Sequence, residues 1–103
     1  MRFSFILLSI IFLTESHSQV IHITDNKEDA EVIVFETKDK SEADWLVIKT
    51  EWRNQAKNGY WWFTEWLNDA DLIIYYTSDI NEAEKIVFFT EWTTDVKFEL
   101  PNG

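Results

Sequence analysis

The chain has no cysteine, one proline and two glycines in 103 residues. Without cysteine there are no disulfides, zinc–thiolate sites, thiol nucleophiles or thiol redox roles. So little proline and glycine excludes long flexible linkers and mucin-like stalks. Positive charge is also scarce: nine Lys and Arg face nineteen Asp and Glu, for a formal net charge of −10. That balance repels nucleic acid and anionic lipid, and no basic stripe or phosphate-cradling glycine loop offsets it. A basic partner is permitted, but a solvated acidic surface is the preferred reading of the charge. Apolar residues are plentiful at 46%, and 17% of the chain is aromatic. That is a globular composition, since disordered chains lack large side chains to bury.

The first residues read as a leader. Arg2 is followed by an apolar run from Phe3 to Leu13, broken only by Ser4 and Ser9. It is too short to cross a bilayer, which takes about 20 residues. Ser16 and Ser18 supply the small residues a signal peptidase reads. We therefore assign residues 1–18 to a secretory signal peptide and 19–103 to a single compact repeat domain. The expected location is the periplasm or the extracellular medium, with no membrane association after cleavage. An exported domain of this size without disulfides must be held by packing alone.

Beyond the leader the chain repeats. Ala30, Ala43, Ala56, Ala70 and Ala83 recur every thirteen residues, with one spacing of fourteen, and Val96 takes the sixth place. Six residues before each stands a threonine: Thr24, Thr37, Thr50, Thr64, Thr77 and Thr90. Ahead of each threonine lies an apolar run rich in β-branched and aromatic residues, such as Val32–Phe35 and Tyr60–Phe63. Runs of four or five such residues predict strands, and their lack of polar alternation predicts cover on both faces.

The segment from threonine to alanine predicts a helix of one to two turns, with threonine as N-cap. On such a helix, residues four apart share a face. Trp52, Trp66 and Trp92 would then lie over Ala56, Ala70 and Val96, with Ile80 reaching the same face near Ala83. The alanines would be small because the helix packs close to its neighbour. The expected fold class is thus an α/β repeat, with six to seven short buried strands alternating with short helices. Lys57-Asn58-Gly59 carries the extra residue, and Asn-Gly there predicts a turn with positive φ. Only about eight residues separate the strands, fewer than the dozen or so that a parallel crossover ordinarily needs. Meandering hairpins, a tight solenoid or an unusual arrangement remain open.

Thr-Glu-Trp in three copies, followed four residues after the tryptophan by Ala56, Ala70 and Val96, and the acid–Ala–acid frames Asp29-Ala30-Glu31, Glu42-Ala43-Asp44, Asp69-Ala70-Asp71 and Glu82-Ala83-Glu84, carry a family likeness. With Lys38-Asp39-Lys40-Ser41-Glu42-Ala43-Asp44, they resemble a family of short bacterial chains with a thirteen-residue Asp-Tyr-Lys-Ser-Glu-Ala-Asp repeat. The resemblance covers essentially residues 19–100. It implies a deeply knotted, seven-crossing torus topology of strands and short helices, and it brings no known activity. Here tryptophan stands in three copies where that family generally has tyrosine, and the Lys-Ser-Glu core occurs once.

No motif carries chemistry. His22 is the one histidine after the leader, so no metal pair or compact Ser-His-Asp set can form around it. The acidic pairs could serve a glycosidase or bind calcium, but each repeat has its own pair and no EF-hand spacing occurs. Charge on a repeated surface explains them better. Trp52, Trp66 and Trp92 are the candidate ligand-binding residues, on the precedent that exposed aromatic rows bind glycans or peptide faces. Packing of these tryptophans in the core is the preferred alternative. No cofactor is expected, nor any catalytic or metal residue. The expected function is an exported, non-catalytic structural or binding domain, monomeric, whose partner would be a protein or glycan. The alternative is a small carboxylate-dependent hydrolase, which would need one cleft holding two unequal acids.

Overall fold

The structure, a computed structural model, describes residues 18–101. The predicted leader, apart from Ser18, lies outside the described residues. Six short strands follow one another: β1 (Val20–Ile23), β2 (Val32–Glu36), β3 (Trp45–Lys49), β4 (Tyr60–Phe63), β5 (Leu72–Tyr76) and β6 (Lys85–Phe89). They fall on the six apolar runs. All pair in parallel and close into a barrel in the order β1-β4-β3-β6-β2-β5. Except between β3 and β4, partners come from distant repeats, as in Val20 beside Trp62 and Ile21 beside Leu72.

The barrel corrects the expected α/β repeat. Among the described residues there is no α-helix; each connection holds at most one three-residue 3-10 turn, such as Lys27–Asp29 or Leu67–Asp69. Local side-chain bonds explain the loss. Every repeat threonine accepts the N–H two residues on, as Thr24 does from Asn26 and Thr64 from Trp66. Asn26 and Asp39 then cap the turn through the N–H groups of Glu28 and Ser41. These bonds hold the backbone extended up to the turn and compete with helical pairing. Threonine is therefore two residues ahead of the cap position, not at it.

Parallel strands with eight-residue connections are possible because no connection has to run back along the barrel. The last residue of β1, Ile23, and the first of β2, Val32, lie on either side of the same residue, Ile74 of β5. In the same way the segment from β2 to β3 straddles Val87, that from β4 to β5 straddles Ile21, and that from β5 to β6 straddles Val34. Each bridge steps sideways over one strand, about 10 Å at ordinary strand spacing. Following the partners once round the ring, the register returns to β1 about twelve residues out of step, twice the strand number, so the strands are steeply tilted. Bridges 24–31 and 37–44 cross β5 and β6, while bridges 64–71 and 77–84 cross β1 and β2. Each half of the chain thus lies under connections made by the other.

The segment between β3 and β4 differs. These two strands are neighbours, with Ile48 beside Tyr60, so segment 50–59 must turn back. The turn is made at Asn58 (φ 56°) and Gly59 (φ 90°), where the Asn-Gly pair predicted it. A Cβ on Gly59 would fall 2.1 Å from Val96, so both the dihedral and the space require glycine.

Ile21, Val32, Val34, Val47, Leu72, Ile74 and Val87 fill the barrel. One end is aromatic. Trp61 is fully buried and meets Trp45, Phe63, Phe89 and Phe98 edge to face, at centroid distances of 6.0, 6.1, 5.9 and 5.3 Å. Edge-to-face pairs add about 0.5–1.5 kcal/mol each beyond burial. That gain offsets the buried Trp61 Nε1–H, which has no partner among the described residues. Outside β4, which no bridge crosses among the described residues, outward residues such as His22, Ile33, Ile73 and Ile86 are half-buried under the bridges, so both faces are partly covered, as the uniform apolar runs suggested. The alanines do not lie at a close helix contact as expected. Ala56 is buried, but Ala30, Ala43, Ala70 and Ala83 are half-exposed.

Candidate functional site

The acids that follow Ala30, Ala43, Ala70 and Ala83 are structural. Glu31 donates its N–H to the carbonyl of Ile73 and accepts the Ile73 N–H on its carboxylate, 2.9 Å away. Asp44 does the same with Ile86, Asp71 with Val20, and Glu84 with Ile33. Each of these acids stands one residue before its strand begins. Its carboxylate replaces the carbonyl that the parallel ladder lacks there, and so ties the bridge to the strand it crosses.

The acid before the alanine is also hydrogen-bonded in two of these repeats, at Glu42 and Glu82, as is Asp95 before Val96. Thr37 donates its hydroxyl to Glu42, Thr77 to Glu82 and Thr90 to Asp95, at 2.6–2.8 Å. Glu82 also binds Lys27, and Asp95 binds Lys40 at 2.9 Å. These lysines first, and the threonine hydroxyls next, hold the Glu82 and Asp95 carboxyls below their usual range. Among the described residues, no group of three His, Asp or Glu side chains is placed to hold a metal ion. His22 faces outward beneath bridge 64–71, with Nδ1 3.1 Å from the Thr64 carbonyl.

Trp52, Trp66 and Trp92 occupy the cap position of their turns, where the other bridges carry Asn26, Asp39 and Asp79. The backbone there is extended, and no side-chain cap bond forms at any of the three. Their exposures are 65%, 65% and 66%. The preferred packing over alanine is thus overturned: without an α-helix, residues four apart share no face. Ile80, expected on that same face, is also exposed.

The three tryptophans are not drawn into one pocket. They stand on three successive connections round the ring: bridge 64–71 over β1, segment 50–59 beside β4, and bridge 90–97 over β3. The connections with polar caps occupy the other side, over β6, β2 and β5. Trp92 lines a groove of about 240 Å³ with Lys40, Phe88, Phe89, Thr90 and Glu91.

A feature that sequence reasoning missed is that, among the described residues, no bridge crosses β4. Its outward Tyr60 and Trp62 are flanked by segment 50–59, with the Arg53 guanidinium 5.3 Å from the Trp62 ring centre and 3.6 Å from Asp69. Between that segment and Tyr60 lies a groove of about 360 Å³, lined by Asn54, Gln55, Lys57, Asn58 and Tyr60. The sequence signal was available in the one irregular spacing, and in Gln55-Ala56-Lys57 standing where four other repeats have acid–Ala–acid.

Residues 18–98 match the model of the 7(1) septoil knot domain. No curated protein and no solved structure matches the chain. The chain belongs to the septoil knot domain family.

Proposed function

We propose that this septoil knot domain is an exported, non-catalytic binding domain that meets a protein or glycan partner through Trp52, Trp66 and Trp92. The observation that carries the reading is their exposure, 65–66%, at turn positions where a capping side chain would be worth about 1 kcal/mol. Three bridges forgo that cap for a large apolar ring in water, and all three lie on one side of the barrel. Exposed aromatic rings supply contact area at low entropic cost and are enriched where binding energy concentrates. Export rests on the leader-like residues 1–18, and a threaded, knotted path for this chain rests on its family and its mutually crossing bridges. The hydrolase alternative has little support. Most of the carboxylates flanking the alanines, Glu31, Glu42, Asp44, Asp71, Glu82 and Glu84, are already bonded to backbone amides, threonine hydroxyls or a lysine.

Co-purification from the native envelope fraction tests this. The chain should retain a reproducible partner that the triple variant Trp52→Ala, Trp66→Ala, Trp92→Ala loses while keeping its thermal midpoint. Equal capture by both proteins would refute the role of the tryptophans.

A further inference from the structure

We propose that the groove beside β4 is a binding site for an acidic saccharide, a chain of uronic-acid type. The assignment rests on the binding reading above and names a ligand class and a second site for it. Segment 50–59 keeps Glu51 but has no acid beside its alanine. Where four other bridges place a carboxylate on each side of the alanine, Gln55 and Lys57 stand around Ala56. In a chain of net charge −10, this groove is lined by no carboxylate at all.

The lining side chains are largely uncommitted. Gln55 accepts the Thr50 hydroxyl at 2.7 Å through its carbonyl oxygen, which leaves its amide donors free. Asn54, Lys57 and Asn58 have no side-chain hydrogen bond or ion pair among the described residues. Three amides can both donate to and accept from sugar hydroxyls. The Tyr60 ring offers a flat apolar surface for a pyranose face, and its hydroxyl a further polar contact. Lys57 supplies the cation that a sugar carboxylate requires, and Arg53 is already engaged by Asp69. Repulsion from the acidic remainder of the surface is screened beyond about 10 Å at 0.1 M salt.

The backbone is fixed in support of this arrangement. Asn58 holds a left-handed conformation at φ 56°, and Gly59 is anchored through its N–H to the buried Gln19 side chain at 2.9 Å. Asn58 and Lys57 are therefore presented by a rigid turn. The volume of about 360 Å³ falls within the range of small-ligand pockets and suits one sugar ring at a time.

Calorimetric titration of the full chain tests the site with oligogalacturonate, a neutral galacto-oligosaccharide of equal length, and polyglutamate. Oligogalacturonate should bind most tightly. Lys57→Gln should weaken it by about tenfold and leave the neutral sugar unchanged, as expected for loss of one charge-assisted bond. Asn58→Gly, which suits the positive φ and keeps the fold, should weaken both sugars. Lys38→Gln, on the far side of the barrel, alters the net charge equally and should change neither. Absence of oligogalacturonate binding overturns the site, as does binding that Lys57→Gln leaves intact. Equal affinity for polyglutamate overturns the saccharide assignment. If the tryptophan variant loses its envelope partner while oligogalacturonate fails to bind, the groove alone falls. If neither binds, the binding reading falls with it.

Discussion

Asp71 shows what a surface carboxylate does in this barrel. Its side chain accepts the N–H of Val20 at 3.0 Å, and Val20 is buried. Removing the acceptor strands a buried amide, which costs about 1–3 kcal/mol. Asp71→Ala should therefore lower stability by that amount in urea unfolding, whereas Asp71→Asn, which keeps an acceptor oxygen, should recover most of it. Equal losses in the two variants would mean that charge, not the hydrogen bond, matters. The acid–Ala–acid frame was plain in the sequence and was read as solvated charge. Its true partner could not be read, because Val20 and Asp71 meet only through the β1–β5 pairing, and spacing within a repeat carries no trace of it.

At the level of elements, the strands were legible and the connections were not. Runs such as Val32-Ile33-Val34-Phe35 can bury both faces only as covered strands. The segments after them contain residues that suit a helix, but Thr37 and Asp39 accept neighbouring backbone N–H groups, Ser41 donates its hydroxyl to the Asp39 carboxylate, and only a single 3-10 turn forms. The tryptophans were placed in the core for the same reason: a helical face was assumed where the backbone is extended. Trp66 at a cap position predicts a trade. Trp66→Asp restores the side-chain cap that Asp39 makes and should raise stability by about 1 kcal/mol in thermal or urea unfolding, while weakening partner retention. A loss of stability instead would show that the ring packs against something.

For the whole molecule, ionisation sets a flat stability plateau with two edges. The carboxyls of Glu82 and Asp95, held down by Lys27 and Lys40, and that of Asp39, held down by the Ser41 hydroxyl and amide, lie below their ordinary 4.5 and 3.8. Their contribution is complete above those values and is lost as the pH falls through the depressed ones. Lys27 is raised above 10.5 by its bond to Glu82, and burial, aided by the Glu36 charge, raises Tyr76 above 10.0. Their contribution is complete below those values and fades as the pH climbs beyond them. The urea midpoint should accordingly vary little between about pH 5 and 9.5 and drop on both sides. A midpoint that climbs steadily across this interval would point to ionised groups elsewhere.

Barrel closure was the part of the fold furthest from the sequence. The thirteen-residue spacing shows that segments are alike, but not that β1 pairs with β4 and β5 while β2 waits two places away. Most of its pairs join residues 42 or 51 positions apart, as in Val20–Trp62 and Ile21–Leu72, so loop closure precedes most of the stabilising contacts and refolding should be slow. Four bridges are tied to the strand beneath them by an acid: Asp71 to β1, Glu84 to β2, Glu31 to β5 and Asp44 to β6. Residue-resolved amide hydrogen exchange reads these ties directly. Val20, Ile33, Ile73 and Ile86, whose amides are bonded to carboxylates, should exchange as slowly as the inner ladder amides, and in Asp71→Ala, but not in Asp71→Asn, protection should fall first at Val20. Fast exchange at all four in the unaltered chain would contradict the carboxylate ties on which the barrel is built.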